Sequence, residues 1–394
     1  MQKKIIALAI AAAISAPAFA DTSNVTVYGV ANVSVDSIDT GNGAAGLAAN
    51  NGFKGTRVSS NTSRIGLKGS EDLGDGLSAV FQIETLVQID NAGNGAGTTG
   101  VGAGNGFGTR NTFAGLSSKT AGTVLLGRHD TPYNLSNRKY DLFGDGLADN
   151  RSIMGGGTAA TAAGVGTVGA SFNGRQPNVL AYISPAFSGL TGAIAYVTGA
   201  DAQAVATQAK GRALSASAMY VNDAISANVG YEQHDLGAVG TGTIVAPAAA
   251  LNGLKESAWT VSAGYKVDAF EVNGVYEKTS DNYGILNGAA GNNALGHSAY
   301  YLSGKYNIGA GAVKLAYTKA GVNALANTGA TQVSVGYDYS LSKRTMVYAT
   351  YTQLSNETAG AYGLSTNGTG ASTANVVGTG AKPSALSLGL KHTF

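Results

Sequence analysis

The feature that most constrains this chain is an alternation of apolar and polar residues with a period of two, which continues from Asn24 to the final residue, Phe394. In residues 259–267, Trp, Val, Ala and Tyr occupy odd positions, and Thr, Ser, Gly and Lys occupy even ones. Residues 386–394 behave in the same way, with three Leu and the terminal Phe on one parity. Successive side chains of a strand point to opposite faces, so the pattern predicts an all-β protein built from two-faced strands.

We count sixteen such runs, and an even number is what a bacterial barrel with both termini on one side requires. They begin near residues 24, 58, 76, 110, 122, 176, 189, 213, 225, 257, 269, 297, 311, 331, 344 and 384. Seven connections are short and eight are long loops rich in Gly, Ala, Thr and Asn. The short turns cover residues 71–76, 118–122, 184–188, 222–224, 267–269, 309–311 and 340–343, and the long loops lie near residues 37–57, 91–109, 130–174, 199–211, 235–255, 280–296, 320–330 and 355–381. In outer-membrane barrels the short turns face the periplasm and the long loops face outside.

A closed barrel in a membrane explains the composition better than a soluble β-sandwich or a soluble adhesin. Charged residues make up only 12% of the chain, and a soluble protein this poor in charge would be hard to keep in solution. One face carries Val, Leu, Ala and Phe, with Tyr towards the strand ends as in an interfacial girdle, for example Tyr220, Tyr231, Tyr265, Tyr276 and Tyr317. The other face is polar and therefore lines water. No stretch after residue 20 is apolar enough for a membrane helix, so we predict a 16-stranded antiparallel transmembrane β-barrel.

The first twenty residues have the pattern of a cleaved secretory signal peptide. Lys3 and Lys4 precede an uncharged apolar stretch and a small-x-small motif that ends at Ala20. We therefore predict that residues 1–20 are removed and that residues 21–394 form one barrel domain. Without the two lysines, the 25 basic residues become 23, which equals the 23 acidic residues. A formally neutral chain gives no reason to expect nucleic acid as a partner.

Several stretches carry a more specific signal. Two turn sequences, GLKGSEDLGDGL at residues 66–77 and LSKRT at residues 341–345, are specific at their length. The others are VTVYGVANVSVD (25–36), SRI (63–65), SAVFQIE (78–84), GLSSKTAGTVLLGR (115–128), YDLF (140–143), YISPAFSGL (182–190), GYDYS (336–340), MVYATY (346–351) and the terminal KHTF. Together they resemble the general diffusion porins of Gram-negative outer membranes, in particular the β-proteobacterial and neisserial branch. The resemblance covers the whole chain after residue 20.

That resemblance implies a homotrimer of sixteen-stranded barrels in the cell outer membrane, with one water-filled pore per subunit. The expected partners are outer-membrane lipid and lipopolysaccharide, together with small hydrophilic solutes and ions that diffuse passively. It also implies that Phe394 is read by the outer-membrane assembly machinery. The alternation gives Phe394 a second role, because the last strand has to pair with the first, near Asn24, so that no edge is left exposed.

The longest loop, residues 131–174, is the expected constriction of the pore. In the family the third loop folds into the barrel and narrows it, and a loop this long without regular structure is either functional or disordered. Its segment DLFGDGLADNR carries Asp141, Asp145 and Asp149 among glycines. Only residues 140–143 match the family motif, so Asp145 and Asp149 are inferred from their position.

Cations on the wall opposite this loop follow from strand parity. On the second strand, Ile65 and Leu67 point to lipid, which turns Arg64 and Lys68 inward, with Lys68 nearer the periplasmic end. Arginines at such motif positions line the narrowest part of the pore in anion-preferring relatives, so the resemblance and the parity agree. An arginine near the mouth of a barrel strand can also contact lipopolysaccharide or a loop, and this alternative stays open for each arginine of the set.

Two further strands supply the rest of the set. On the fourth strand we expect Phe113 to face outward, which turns Arg110 inward. On the sixth strand Leu180 and Tyr182 face outward, which leaves Arg175 inward if the pairing is regular that far. The three arginines would then form a ladder that faces the carboxylates of the loop. Charges facing each other across a narrow passage produce a transverse field and set ion preference, here a mild preference for anions.

Other motifs predict no enzyme activity, no cofactor and no metal site. Arg128 shares the outward parity of Val124 and Leu126, so without a bulge it does not belong to the ladder. The two G-x-G-x-x-G matches, at residues 41–46 and 164–169, do not lie between a strand and a helix as nucleotide binding requires. The four histidines are isolated in the sequence and show no metal-ligand spacing.

The sequence therefore predicts a porin that forms a water-filled channel for passive diffusion of small hydrophilic solutes and ions. A solute-specific channel is one alternative. A barrel adhesin or phage receptor that acts through its extracellular loops is another. The loops contain few aromatic residues and so show no obvious binding hot spot, which favours the diffusion channel.

Overall fold

The computed structural model describes residues 24–43, 52, 54–90, 107–155, 172, 174–199, 211–236, 254–282, 293, 295–365 and 377–394. The segment predicted to be a signal peptide, residues 1–20, lies outside them. Helical structure within these residues is limited to α1 (Pro132–Arg138) and a 3-10 helix (Asn150–Ser152). No helix among them is long and apolar enough to cross a membrane.

The same residues form seventeen β-segments in one antiparallel sheet. The segments are β1 (Asn24–Asp39), β2 (Lys54–Ser60), β3 (Arg64–Gly74), β4 (Leu77–Leu86), β5 (Thr112–Ser118), β6 (Gly122–Asp130), β7 (Arg175–Ile183), β8 (Leu190–Gly199), β9 (Gly211–Val221), β10 (Ile225–Asp235), β11 (Lys255–Val267), β12 (Phe270–Asp281), β13 (Ser298–Ile308), β14 (Gly311–Ala320), β15 (Ala330–Ser340), β16 (Thr345–Asn356) and β17 (Ser384–Thr393).

The segments β2 and β3 are two halves of one barrel strand, so the seventeen segments make sixteen strands. β1 pairs with both of them: Val33 lies opposite Ser60, and Val30 lies opposite Arg64. Residues 61–63 leave the ladder between the two halves, and Thr62 has a φ of 57° there. The predicted sixteen-stranded antiparallel barrel is confirmed, with one interruption in its second strand.

The first and last strands close the barrel. β1 and β17 are antiparallel neighbours from Val30 opposite Thr393 to Asp39 opposite Ser384. Gly29 N donates to Phe394 O (2.9 Å), and Phe394 N donates back to Gly29 O (3.1 Å). The ladder thus continues to the last residue of the chain, and closure leaves no unpaired sheet edge.

Short turns and long loops alternate along the strands as predicted. β3 and β4 are joined by Asp75 and Gly76 alone, with φ values of 50° and 75°, as a type I′ hairpin turn requires. The sequence prediction began this turn at Glu71, but β3 continues to Gly74. A register shift between Asp72 and Gly74 accommodates one extra residue, so the ladder extends further than the alternation suggested.

Apolar side chains cover the outside of the barrel, and aromatic residues lie near the strand ends. Four of the five tyrosines expected in the girdle are exposed there, namely Tyr220, Tyr231, Tyr265 and Tyr317. The fifth, Tyr276, is half-buried because its ring lies 5.0 Å from those of Trp259 and Tyr300 on neighbouring strands. This exterior matches the lipid-facing band of a transmembrane barrel.

The main hydrophobic cluster lies inside the barrel and is shared between two loops and the strands behind them. The third loop, L3 (residues 131–174), and the last loop, L8 (residues 357–383), pack there against one side of the wall. The loop members are Tyr140, Phe143, Leu147, Ala148, Ile153, Met154, Tyr362 and Leu364, and the wall members include Val275, Tyr301 and Leu354. Ser365 N of L8 also donates to Ser152 Oγ of L3 (2.8 Å). The predicted infolding of the third loop is therefore confirmed.

Candidate functional site

L3 begins flat against the inner wall. Thr131 caps α1 by accepting a hydrogen bond from Asn134 N (3.2 Å). Tyr133, in the first turn of α1, is fully buried. Its amide donates to Ser215 on β9 (3.1 Å), and its hydroxyl donates to Glu277 on β12 (2.6 Å). Because one residue of the helix bonds to strands three places apart, α1 lies across the inward face of β9–β12.

The segment that follows α1 crosses to the next strands of the wall. Leu142 N donates to the hydroxyl of Tyr301 on β13 (3.1 Å), and Leu142 O accepts from Lys314 Nζ on β14 (3.1 Å). The same ammonium lies 4.8 Å from the ring centre of Phe143. A segment this short reaches from β9 to β14 only along the inside of the barrel.

The tip of L3, residues 144–149, points at the wall formed by β3. Asp145 is bound by Arg138 of L3 (2.7 Å) and has Arg151, also of L3, at 3.8 Å. Its other oxygen lies 3.7 Å from Arg64 Nη1 on β3. The residue has a φ of 73°, in the left-handed region that Asp tolerates better than most residues. Asp145 is the carboxylate of the predicted set that lies next to a wall arginine.

Glu84 on β4 holds two of the predicted arginines together. Its carboxylate lies 2.5 Å from Arg110 Nε and 3.6 Å from Arg64 Nε, and it accepts a hydrogen bond from Tyr28 on β1 (3.0 Å). All four side chains therefore lie on the inward face, as predicted for Arg64 and Arg110. The two arginines keep about a fifth of their side-chain surface exposed, 22% and 17%, so they face the lumen while paired.

The inward position of Arg110 does not arise in the predicted way. Phe113 was expected to face outward, but it lies opposite Gln82 of β4, which shares the face of Glu84. Phe113 therefore faces inward and packs beside the buried Leu125, because this part of the inner wall is apolar rather than polar. Arg110 precedes β5, which begins at Thr112, so strand parity does not extend to it.

Arg175 lies beyond a register shift in the pairing of β6 with β7. The register shifts between Gly127 and His129, and Asn178 opposite has a φ of 56°. The regular pairing on which the inward parity of Arg175 depended therefore stops short of it. The structure places its guanidinium against Asp130, the last residue of β6 and its neighbour in the shifted register (3.0 Å).

The register shift between Gly127 and His129 is a bulge, and it lies next to Arg128. The sequence prediction excluded Arg128 from the inward arginines only if no bulge occurred there. Arg128 Nε donates to Thr109 O (3.1 Å), and its charge is near enough to Arg175 to repel it. Arg110 also repels Arg175, so the three guanidinium groups share one region of the wall.

Asp141, which matches the family motif, is half-buried between L3 and the wall. It accepts hydrogen bonds from Phe143 N (2.9 Å), Asn150 N (3.1 Å) and the hydroxyl of Tyr301 (3.0 Å). Burial, together with the nearby charge of Asp149, raises the pKa of Asp141 to about 7. This carboxyl group thus attaches the loop to β13 and does not face the lumen.

Asp149 is fully buried inside the loop. It caps the 3-10 helix and binds the guanidinium groups of Arg151 (2.6 Å) and Arg138 (3.3 Å). Burial alone would raise its pKa, but the charges of Arg151 and Arg138 hold the pKa of Asp149 well below its usual range. Asp149 therefore organises the two loop arginines that flank Asp145.

Lys68 lies on the inward parity of β3, as predicted, and its side chain is exposed. Its ammonium lies 5.2 Å from the ring centre of Tyr28. Within the part of the chain that the structure describes, no carboxylate forms an ion pair with it. Lys68 is therefore a free positive charge on the same wall as Arg64.

Two residues near the site were not identified from the sequence. Glu84 could have been found, because it shares the inward parity of Gln82. Lys391 on β17 has inward parity too, since Leu388 and Leu390 are exposed outside, and its charge interacts with Arg64 and Asp145. Its proximity depends on barrel closure, which brings β17 next to β1, so spacing in the sequence gives no sign of it.

Comparison with known proteins agrees with this architecture. The family model described as "Gram-negative porin" matches residues 7–359. Outer membrane porin protein 32 of Delftia acidovorans is 29% identical over 400 residues, covering 100% of both chains. An outer membrane porin protein of Bordetella pertussis is 30% identical over 59% of this chain and 60% of its own length. Major outer membrane protein P.IA of Neisseria meningitidis is 31% identical over 50% of this chain and 47% of its own length.

Solved structures give the same result. The anion-selective porin from Comamonas acidovorans superposes with a TM-score of 0.72 at 27% identity, covering 95% of this chain and 100% of that one. Salmonella typhi OmpF, at 16% identity and a TM-score of 0.60, shares the fold. The family match covers most of the chain, one relative aligns with it from end to end, and the barrel has the porin architecture with L3 inside. The chain is therefore a member of the Gram-negative porin family, whose members are outer-membrane channels for passive diffusion.

Proposed function

We propose that Arg64, Arg110 and Arg175 on the wall, together with Asp145 at the tip of L3, form the constriction of the diffusion channel, and that this constriction favours anions mildly. The observation that carries the proposal is the approach of Asp145 to Arg64 at 3.7 Å. Opposite charges on facing sides of a passage create a transverse field that orients polar solutes and hinders apolar ones.

A local excess of positive charge supports the anion preference. On the wall, three arginines are paired with only two carboxylates, Glu84 and Asp130. At the loop tip, Arg138 and Arg151 balance Asp145 and Asp149. Lys68 and Lys391 add two charges for which the described residues supply no ion pair. The Comamonas acidovorans relative, whose name calls it anion-selective, agrees with this sign.

Replacement of the three wall arginines by serine tests the proposal. Purified protein is inserted into a planar bilayer under a KCl gradient, and the zero-current potential gives the ratio of chloride to potassium permeability. The wild-type protein should show a modest chloride preference, and the triple variant should prefer potassium. Arg344→Ser, in the exposed turn between β15 and β16, is the matched control and should leave the potential unchanged. An unchanged potential in the triple variant would remove these arginines from the constriction.

The predicted homotrimer is part of the same proposal. Supporting observations are the resemblance to trimeric porins and the apolar exterior, which leaves Val124, Leu126 and Leu180 exposed on neighbouring strands. Lipid and lipopolysaccharide are the expected neighbours of the rest of this surface. Closure of the bilayer current in three equal steps is the expected observation, and closure in single steps only would argue for a monomer.

We also propose export through the periplasm with removal of residues 1–20, so the mature chain should begin at Asp21. Phe394 is proposed as the residue that the assembly machinery reads. Its support is the position of Phe394 at the end of β17, where half of its surface, 50%, stays exposed. N-terminal sequencing of protein from outer membranes tests the first point, and the yield of assembled Phe394→Ser protein tests the second.

A further inference from the structure

A histidine lies between two carboxylates on the inner wall behind L3. His234 and Glu232 are on β10, and Glu256 is the neighbour of His234 on β11. His234 Nε2 lies 2.7 Å from Glu232 Oε1, and Nδ1 lies 2.7 Å from Glu256 Oε1. His234 and Glu232 have no exposed surface, and Glu256 has 5%. These three residues are called the wall cluster below.

The two contacts fix how many protons the wall cluster must hold. A neutral imidazole has one N–H and one bare nitrogen, so it can donate to only one of two carboxylates. The second contact needs another proton, either on the imidazole or on one glutamate. The cluster therefore keeps its geometry with a net charge of −1, and loss of that proton would leave a nitrogen lone pair against a carboxylate inside a buried site.

The wall cluster supports the returning part of L3. The ring of Phe172 stacks on the imidazole of His234 at 4.6 Å, with an angle of 13° between the planes. Phe172 N donates to Gly155 O (3.1 Å), and Gly155 N donates to Glu277 on β12 (2.8 Å). The same glutamate accepts the hydroxyl of Tyr133 in α1. The outgoing and returning parts of L3 are thus attached to the wall at one place.

Within the part of the chain that the structure describes, Asp281, Glu277 and Tyr133 are titratable groups beside the wall cluster. Asp281 on β12 lies beside Glu256 and accepts from Leu295 N (2.8 Å) and Gly296 N (2.7 Å). Glu277 on β12 and Tyr133 in α1 lie where L3 is attached to the wall. Burial and the charge of Glu277 raise the pKa of Tyr133 well above its usual value, so Tyr133 stays protonated when the solution is made moderately alkaline.

We propose that His234 is a positioning residue for L3, and that the wall cluster acts as a proton-dependent latch which holds Phe172 against the wall while the shared proton is present and releases it at alkaline pH. The effect on the channel rests on the proposed function, because only a loop that narrows the pore changes the current when it moves. The latch itself concerns the position of the loop and can be observed without any current.

Acid and alkali should act differently on the wall cluster. Glu232 Oε2 is buried and has no hydrogen-bond partner among the described residues, so it can take a further proton without disturbing either contact with His234. Acidification therefore keeps the latch closed. Alkali removes the one proton that both contacts need. One nitrogen of His234 then faces a carboxylate with no proton between them, beneath the stacked ring of Phe172.

Glu232→Gln separates the latch from a merely structural role. A glutamine amide can donate to the bare nitrogen of a neutral imidazole, while the other nitrogen donates to Glu256. Both contacts then form without an extra proton. This variant should keep Phe172 in place at neutral and at alkaline pH. His234→Ala removes the stacking partner and should release Phe172 at every pH, whereas His392→Ala, at the opposite end of the barrel, is a control that should behave like the wild type.

The experiment places a fluorescent reporter at Phe172. The chain has one tryptophan, Trp259, so Phe172→Trp in a Trp259→Phe background leaves a single indole on the imidazole. Protein reconstituted in detergent or vesicles is titrated from about pH 5 to about pH 11, a range that extends well above the usual histidine pKa. In the reporter protein with an unchanged wall cluster, indole emission should be quenched at acid and neutral pH and should rise at least twofold at alkaline pH. Glu232→Gln in the same background should remain quenched throughout.

Bilayer currents of the same proteins separate the two proposals. A rise in emission with larger or noisier currents supports both the latch and the constriction. A rise in emission with unchanged currents supports the latch and contradicts the constriction role of L3. If emission does not change with pH, or if Glu232→Gln releases the indole as readily as the unmodified cluster does, the latch is contradicted whatever the currents show.

Discussion

Arg64 on β3 and Asp145 at the tip of L3 approach to 3.7 Å inside the barrel. Each of the two residues also has another ion-pair partner. Arg64 is also 3.6 Å from Glu84, and Asp145 is held more closely by Arg138, at 2.7 Å. The pair is therefore a contact between two preformed clusters, one on the wall and one in the loop, and a change in either cluster should alter ion flow.

Removing the negative charge of Glu84 should strengthen the preference for anions. In Glu84→Gln, Arg64 and Arg110 keep a hydrogen-bond acceptor but lose the carboxylate that partly neutralises them. One unit charge at about 4 Å in a water-like medium is worth about 1 kcal/mol, so the ratio of chloride to potassium permeability should rise about fivefold. The zero-current potential in a KCl gradient measures this ratio.

Glu271→Gln is the matched control for this prediction. Glu271 is also a lumenal carboxylate and pairs with Lys305 at 2.6 Å on β13, away from the loop tip. Its replacement should change the potential much less. Equal shifts in the two variants would mean that selectivity reflects the total charge of the lumen and not the wall opposite L3.

Tyr301 on β13 should be needed to keep L3 in place. Its hydroxyl donates to Asp141 and accepts from Leu142 N, so Tyr301→Phe leaves a half-buried carboxylate and a half-buried amide each without one partner. A loss of about 1–3 kcal/mol for such buried groups is expected, and the loop should move more. We expect larger open-channel noise in single-channel records. Tyr300→Phe, on the outer face of the same strand, should leave the noise unchanged.

Much of this architecture could be predicted from the sequence because it depends on local rules. The inward position of Arg64 follows from the outward position of Ile65 beside it, and the β3–β4 turn, at Asp75 and Gly76, lies within the short connection predicted at residues 71–76. Parity fails where the ladder is irregular. Phe113 faces inward because a patch of the inner wall is apolar, and the bulge after Gly127 disturbs the pairing before it reaches Arg175.

The roles of the loop carboxylates could not be read in the same way. Asp141, Asp145 and Asp149 are equally spaced in the sequence, yet only Asp145 faces Arg64. Which of them is buried is decided by partners far away in the chain, such as Tyr301, and by the local arginines that enclose Asp149. Contacts of this kind exist only once the barrel is closed around the loop.

The docking of L3 should weaken as pH rises from about 4 to about 7. The pKa of Asp141 is about 7 in the folded protein, above the usual value of 3.8, so between these values the folded state holds a proton that the unfolded state has lost. Stability therefore falls with rising pH in that window. Asp149 acts in the opposite sense, but its contribution is lost only below the usual carboxyl pKa.

Proteolysis of L3 as a function of pH measures this dependence. Cleavage within the loop should become faster towards neutral pH in the wild type, and Asp141→Asn should show little change over the same range because it has no proton to lose. Asp145→Asn is the control, since Asp145 lies at the loop surface. If Asp141→Asn retains the full pH dependence, another group is responsible.

The contact between Gly29 and Phe394 should limit which residues allow the barrel to close. A Cβ atom added at Gly29 would lie 2.3 Å from Cζ of Phe394 and 2.8 Å from the backbone oxygen of Arg64, so even alanine forces the terminal ring to move. Because Gly29 and Phe394 also exchange the last two backbone hydrogen bonds of the β1–β17 ladder, Gly29→Val should slow closure of the barrel. The fraction of refolded protein that resists heat-induced unfolding on a gel measures closure, and it should fall severalfold. Phe394→Leu, which retains an apolar terminus but removes the ring, should restore closure of Gly29→Val in the double variant. A double variant no better than Gly29→Val would place the obstruction at the Arg64 backbone instead of the ring.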